Sequence, residues 1–108
     1  MAQTVEGFFS ELGGKIDPSR LQGMNATYQF VVTGDGGGEW NVAIANGQAT
    51  VSKGTADAPS ITLTSSVADW LDIVSGKLNG QTAFLTGKLK IKGDMTLAMK
   101  LQSVLQVK

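Results

Sequence analysis

Among side chains able to do chemistry, this 108-residue sequence offers carboxylates, lysines and hydroxyls but no His and no Cys. Without imidazole or thiol there is no Ser–His or Cys nucleophile, no thiolate zinc site and no disulfide. Asp69 and Asp72 flank Trp70, but a spacing of three places them on neighbouring positions of one helix's solvent side, a poor acid–base pair. Gly34-Asp35-Gly36-Gly37-Gly38 has the glycine content of a phosphate loop. It lacks the Gly-Lys-Ser/Thr ending and leads into a strand, so no helix dipole would face a ligand. It reads as a hairpin turn. No metal cluster is visible, and the expectation is a protein that is not an enzyme and carries no cofactor.

Nine basic and nine acidic residues cancel, which argues against nucleic acid as a partner. The charges are nevertheless segregated. Residues 1–72 hold three basic and eight acidic side chains, a net of −5, and residues 73–108 hold six basic and one acidic, a net of +5. Lys88, Lys90 and Lys92 alternate, so on a strand they share one face. There they would block edge-to-edge pairing, or meet an anionic phospholipid headgroup or the phosphates of acyl-CoA.

The elements that must position these residues follow from periodicity. Val5, Phe8, Phe9, Leu12 and Ile16 mark one helix face. Thr4 is its expected cap and Gly13-Gly14 is expected to end or weaken it, with a short turn to follow at Pro18. Phe8, Phe9 and Leu12 are assigned to the core. Tyr28, Phe30 and Val32, then Trp40, Val42 and Ile44, alternate as strands around the glycine-rich turn. Asn46-Gly47 turns the chain into a third strand through Val51, and Ile61 and Leu63 mark a fourth, so the first half reads as an antiparallel meander. Ser66 and Asp69 suggest the cap of a second helix with apolar Val67, Trp70, Leu71 and Val74, closed by Gly76. Asn79 to Leu85 reads as one more short helix or turn, and Lys88 to Lys92 as a fifth strand.

Gly93 breaks that strand and Asp94 caps a last helix to about Gln106, ~18 Å long. Its polar stripe is only Thr96, Lys100 and Ser103. Met95, Ala98, Met99 and Leu105 line one flank, and Leu97, Leu101 and Val104 the other. A helix lying on one sheet needs an apolar stripe little wider than ~100°; this one is apolar over more than half its circumference and should touch two apolar surfaces. By itself the pattern describes a deeply buried core helix.

The segment Ala83-Phe84-Leu85-Thr86-Gly87-Lys88-Leu89-Lys90-Ile91-Lys92-Gly93-Asp94-Met95, followed by Leu97-Ala98-Met99-Lys100-Leu101, closely resembles the sterol carrier protein-2 domain. Trp40, Asn46-Gly47, Lys53-Gly54 and Ala58-Pro59-Ser60-Ile61-Thr62-Leu63 agree with it, so the resemblance runs from about Phe8 onward. It implies an α+β fold: a five-stranded mixed, largely antiparallel sheet, covered on one face by helices, with an apolar tunnel between them. It also implies a non-catalytic carrier of a fatty acid, fatty acyl-CoA, phospholipid or sterol-like ligand. On that reading the last helix becomes a tunnel wall. Met95, Met99 and Gln102 are lining candidates, joined by Trp70, Leu71, Val74, Phe84 and Leu85, each of which could equally be ordinary core. Gly93 is the expected hinge for loading, since it has no Cβ to restrict it. A protein-interaction or accessory module with a self-filled core, delivering a hydrophobic substrate to a partner enzyme, is the alternative.

The sequence ends Gln106-Val107-Lys108, unlike the peroxisomal Ser-Lys-Leu tripeptide, and no fused thiolase or dehydrogenase domain is expected. Its first six residues lack the basic-then-apolar grammar of a secretory signal, and its apolar runs are far shorter than a membrane span. The expectation is a single free-standing, prokaryotic-type domain over residues 1–108, soluble, cytoplasmic and monomeric, touching an anionic membrane only transiently.

Overall fold

The computed structural model describes residues 4–15, 23, 25–75 and 77–98. Helix α1 spans Val5–Lys15. Thr4 caps it as expected: its Oγ1 accepts from the Gly7 amide at 2.9 Å, and its carbonyl accepts from the Phe8 amide, also at 2.9 Å. The helix does not stop at Gly13-Gly14 but runs through both to Lys15. Two glycines weaken a helix by roughly 1 kcal/mol each, and the packing of α1 against the sheet and α2 outweighs that local preference. Ile16, the turn at Pro18, Gly76 and the last helix beyond Ala98 lie outside the described residues, as does the Leu12 side chain.

Five strands follow: β1 (Ala26–Thr33), β2 (Gly38–Ala45), β3 (Gln48–Lys53), β4 (Ile61–Ser66) and β5 (Leu89–Gly93). Their order across the sheet is β3-β2-β1-β4-β5. Strands β1 to β3 form the expected meander. Asn46 (φ 55°) and Gly47 (φ 75°) take the left-handed conformation at both central positions, which a two-residue hairpin with the sheet's twist requires.

The fourth strand corrects the meander. β4 does not pair with β3; it lies parallel to β1, with Tyr28 opposite Ile61 and Phe30 opposite Leu63. Alternation fixes which face a residue takes but not which strand it lies beside. The connection over 54–60 is tied across the back of β1 and β2 by Gln29, whose Nε2 donates to the carbonyls of Trp40 and Gly54, both at 3.1 Å. Its Oε1 accepts from the Ala56 amide at 2.7 Å. Asn41 reaches the Gly54 carbonyl as well, at 3.2 Å.

Helix α2 (Val67–Ser75) begins where β4 ends, its Asp69 amide donating to Ser66 Oγ at 3.2 Å. Helix α3 (Gly80–Leu85) is capped by Asn79, whose Oδ1 accepts from the Thr82 amide at 3.4 Å. β5 then pairs antiparallel with β4, Leu89 opposite Ser65 and Gly93 opposite Ile61. Residues 95–98 are helical, capped by Asp94, whose Oδ1 accepts from the Thr96 amide at 2.9 Å.

Candidate functional site

The face of the sheet under the helices is apolar because the period-two residues demand it. Tyr28, Phe30 and Val32 of β1, Trp40, Val42 and Ile44 of β2, Ile61 and Leu63 of β4, and Leu89 of β5 are all buried. What covers this face differs from one side to the other.

Over β1 and β2 the cover is aromatic and closed. Phe9 stacks on Trp40, centroids 5.1 Å apart and planes 12° from parallel, and on Trp70 at 5.8 Å and 6°. Phe8 meets Trp70 edge-on at 6.0 Å, Phe30 lies against Phe9 at 5.3 Å, and Lys53 Nζ sits 5.4 Å from the Trp40 ring. Such pairs contribute about 0.5–1.5 kcal/mol beyond the area they bury. The cost is that both indole N–H groups, on Trp40 and Trp70, are enclosed without an acceptor.

Elsewhere, among the described residues, the cover is aliphatic and looser. Ala49 and Val51 of β3, Val67, Leu71, Ile73 and Val74 of α2, which packs on β4 and β1, Leu78 before α3, Ile91 of β5, and Leu97 and Ala98 after it are only partly buried against the same core. Two hydroxyls mark this region. Ser65 is buried on β4, and its Oγ donates to the Ser66 carbonyl at 3.3 Å. Tyr28, fully buried on β1, donates through its hydroxyl to the Leu97 carbonyl at 2.8 Å. Its phenol pKa is pushed up to about 12, first by burial and then by the charge of Asp94.

The expected lining residues therefore separate. Trp70 is in the aromatic stack. Leu71 and Val74 stand on the looser side. Among the described residues Phe84, Leu85 and Met95 are the exposed large apolar ones, and β5 holds the first two apart from the third. Four residue steps from Leu89 to Gly93 span about 14 Å. Met99 and Gln102 lie outside the described residues. Lys90 and Lys92 project from the face of β5 opposite Leu89 and Ile91, whereas Lys88 falls before the strand, in the turn after α3. Gly93 adopts φ 121°, and a Cβ there would come within 2.6 Å of the Ser60 carbonyl oxygen, so its bareness serves a close approach to β4. Tyr28 and Gln29 were missed as special positions. Alternation marked one as core and the other as back face, and neither hydrogen bond is local in sequence.

Among the described residues no group of three potential metal ligands comes together, and no helix is long and apolar enough to cross a membrane.

The SCP-2 sterol transfer family model matches residues 9–106. The chain belongs to that family. It is 36% identical to sterol carrier protein 2 of Gallus gallus, over 96% of this chain and 21% of that one. It is 30% identical to hydroxysteroid dehydrogenase-like protein 2 of Xenopus laevis, over 96% of this chain and 25% of that one. The chain thus spans about a quarter of the length of such relatives, and the domain recurs within longer proteins named as enzymes. Among solved structures, palmitated SCP2L2 from Aedes aegypti is similar at a TM-score of 0.70 and 29% identity, with 94% of this chain and 90% of that one covered. The mixed five-stranded α+β fold expected from the resemblance is the fold found.

Proposed function

We propose that this family member is a carrier of an acyl-chain lipid, and that the ligand lodges over β4 and β5. The observation that carries the reading is the asymmetry of the cover. Stacked aromatics close one part of the cover, while Leu71 and Val74 of α2, which packs on β4, and Ile91 of β5 stay half-buried. The palmitated Aedes relative supports a fatty acyl ligand. An acyl chain leaving water for such a lining gains roughly 0.8 kcal/mol per buried methylene, so affinity should climb with chain length until the cavity is full. Met95 belongs to the outer wall, Met supplying a deformable lining. Trp70 backs the site, and the helix that starts at Met95 swings about Gly93 to admit ligand. Some of the lysines of residues 73–108 supply charge for meeting the lipid surface from which the carrier loads.

The test is a titration of lipid-stripped protein with a fluorescent fatty acid, following energy transfer from Trp40 and Trp70. Saturable uptake near one per chain, displaced by palmitate, is expected. Val74→Trp should lower affinity at least tenfold by filling the looser side, while Phe9→Leu should change it less than threefold. A folded, stripped sample that takes up no probe would overturn the carrier reading. The closed aromatic stack then favours the second one, an interaction or accessory module with a self-filled core.

A further inference from the structure

Helix α3 carries its apolar residues on the wrong side for folding. Ala83 is its buried anchor, fully enclosed, where the helix packs on β5 and α2. Leu85 comes two residues later, about 200° around the helix, and is 77% exposed; Phe84 between them is 38% exposed. The cap holds them there. The Lys88 amide donates to the Ala83 carbonyl at 2.8 Å and the Gly87 amide to the Phe84 carbonyl at 3.3 Å, with Gly87 at φ 82°. In this termination the residue at the Lys88 position usually brings an apolar side chain back over the last turn. Here it is an exposed lysine, and Leu85 is left uncovered. Lys77 stands just before the Asn79 cap, also exposed. Residues 73–93 contain four lysines and no acidic residue, and among the described residues no carboxylate pairs with Lys77 or Lys88.

From this arrangement we infer that the tip of α3 is where the protein docks on an anionic phospholipid surface, Leu85 and Phe84 entering the headgroup boundary while Lys77 and Lys88 contact lipid phosphates. Apolar side chains bracketed by lysines match that interface. A protein partner is the less suited occupant, because the patch is two side chains wide on a six-residue helix. Lys90 and Lys92 point from the sheet's other face and stay outside the footprint. The inference deepens the carrier reading by naming the surface that meets lipid, yet the two fail separately, since uptake of a free fatty acid needs no vesicle.

The test is flotation with vesicles of pure phosphatidylcholine and of phosphatidylcholine with one-third phosphatidylglycerol. Binding to the second only, weakened by salt, is expected. Leu85→Asp should reduce partitioning tenfold or more. Lys77→Glu with Lys88→Glu should do the same, at roughly fivefold per lysine lost and more on reversal. Lys90→Glu with Lys92→Glu should change it less than threefold. All these positions are exposed, and circular dichroism checks that each variant is folded. No binding by the wild type would overturn the inference, as would Leu85→Asp binding like the wild type. Equal losses from the two lysine pairs would overturn the footprint and with it the role of α3.

Discussion

Phe9 lies flat on Trp70, ring centroids 5.8 Å apart and planes 6° from parallel, which joins the first helix of the chain to the second. On its other face Phe9 lies against Trp40 at 5.1 Å, so one side chain fastens α1 and α2 to β2. Replacing Phe9 with Ala should therefore cost about 3–5 kcal/mol, the range for emptying a buried aromatic site. Phe9→Leu should cost clearly less because it refills part of the volume. Urea unfolding followed by tryptophan emission reads both. A Phe9→Ala loss under 1 kcal/mol would mean that the stack does not fasten the helices.

Gln29 plays the corresponding part on the opposite face. It is 2% exposed, and its amide serves the Trp40 and Gly54 carbonyls and the Ala56 amide at once. Gln29→Leu keeps most of the volume but takes the acceptor from the Ala56 amide, while the Gly54 carbonyl keeps its Asn41 donor, at about 1–3 kcal/mol for the amide left unpaired. The loss should be local first. Hydrogen exchange should quicken at Ala56 and Ser60, the latter donating to the Thr27 carbonyl at 2.9 Å, while β2–β3 amides stay protected. Uniform quickening across the sheet would contradict a pin confined to the crossover.

These two residues also show what could be read from the chain before its structure. Strand positions, their inward faces and the caps at Thr4, Ser66 and Asp94 are local properties, and alternation or a single hydroxyl or carboxylate announces each. The place of β4 beside β1 is not local: it depends on an amide at Gln29 meeting a backbone segment some 25 residues on, and a polar residue on a back face gives no sign of that. The helix through Gly13-Gly14 was hidden likewise, since its support comes from other elements. At the candidate site, Leu71 and Val74 were legible as apolar stripe residues. Whether Trp70 or Phe84 is core or surface depends on which neighbours arrive, and periodicity is blind to that.

Gly93 offers a test of close approach against mere flexibility. At φ 121°, with a Cβ destined to meet Ser60 O at 2.6 Å and Ile61 Cα at 2.8 Å, Gly93→Ala combines backbone strain with a collision against backbone that has nowhere to go. Gly47, at φ 75°, has nothing within 4 Å of its would-be Cβ, so Gly47→Ala carries strain alone, of order 1 kcal/mol. Thermal unfolding should place Gly93→Ala well below Gly47→Ala. Equal melting temperatures would show that the β4–β5 end yields freely and that Gly93 is not held by close approach.

Tyr28 ties the start of that helix to the middle of the sheet, through a buried hydroxyl donating to the Leu97 carbonyl. The phenol pKa is raised to about 12, burial first and Asp94 second, from an unfolded value near 10. A raised folded pKa means that the native state favours the protonated phenol. That preference is fully present below pH 10 and is lost as pH rises from about 10 to about 12. Tyr28 is the sequence's single tyrosine, so phenolate absorbance reports it alone and should titrate near pH 12 in the folded protein. Tyr28→Phe should be less stable than the wild type by about 1 kcal/mol at pH 7. The gap should narrow and then reverse across pH 10 to 12, because Phe has no proton to lose and lysine titration is common to both proteins. Parallel stability curves for the two would mean that the hydroxyl is not held in the interior. A reversal, together with faster release of a bound fatty acid from Tyr28→Phe at pH 7, would identify this hydrogen bond as a latch on ligand release.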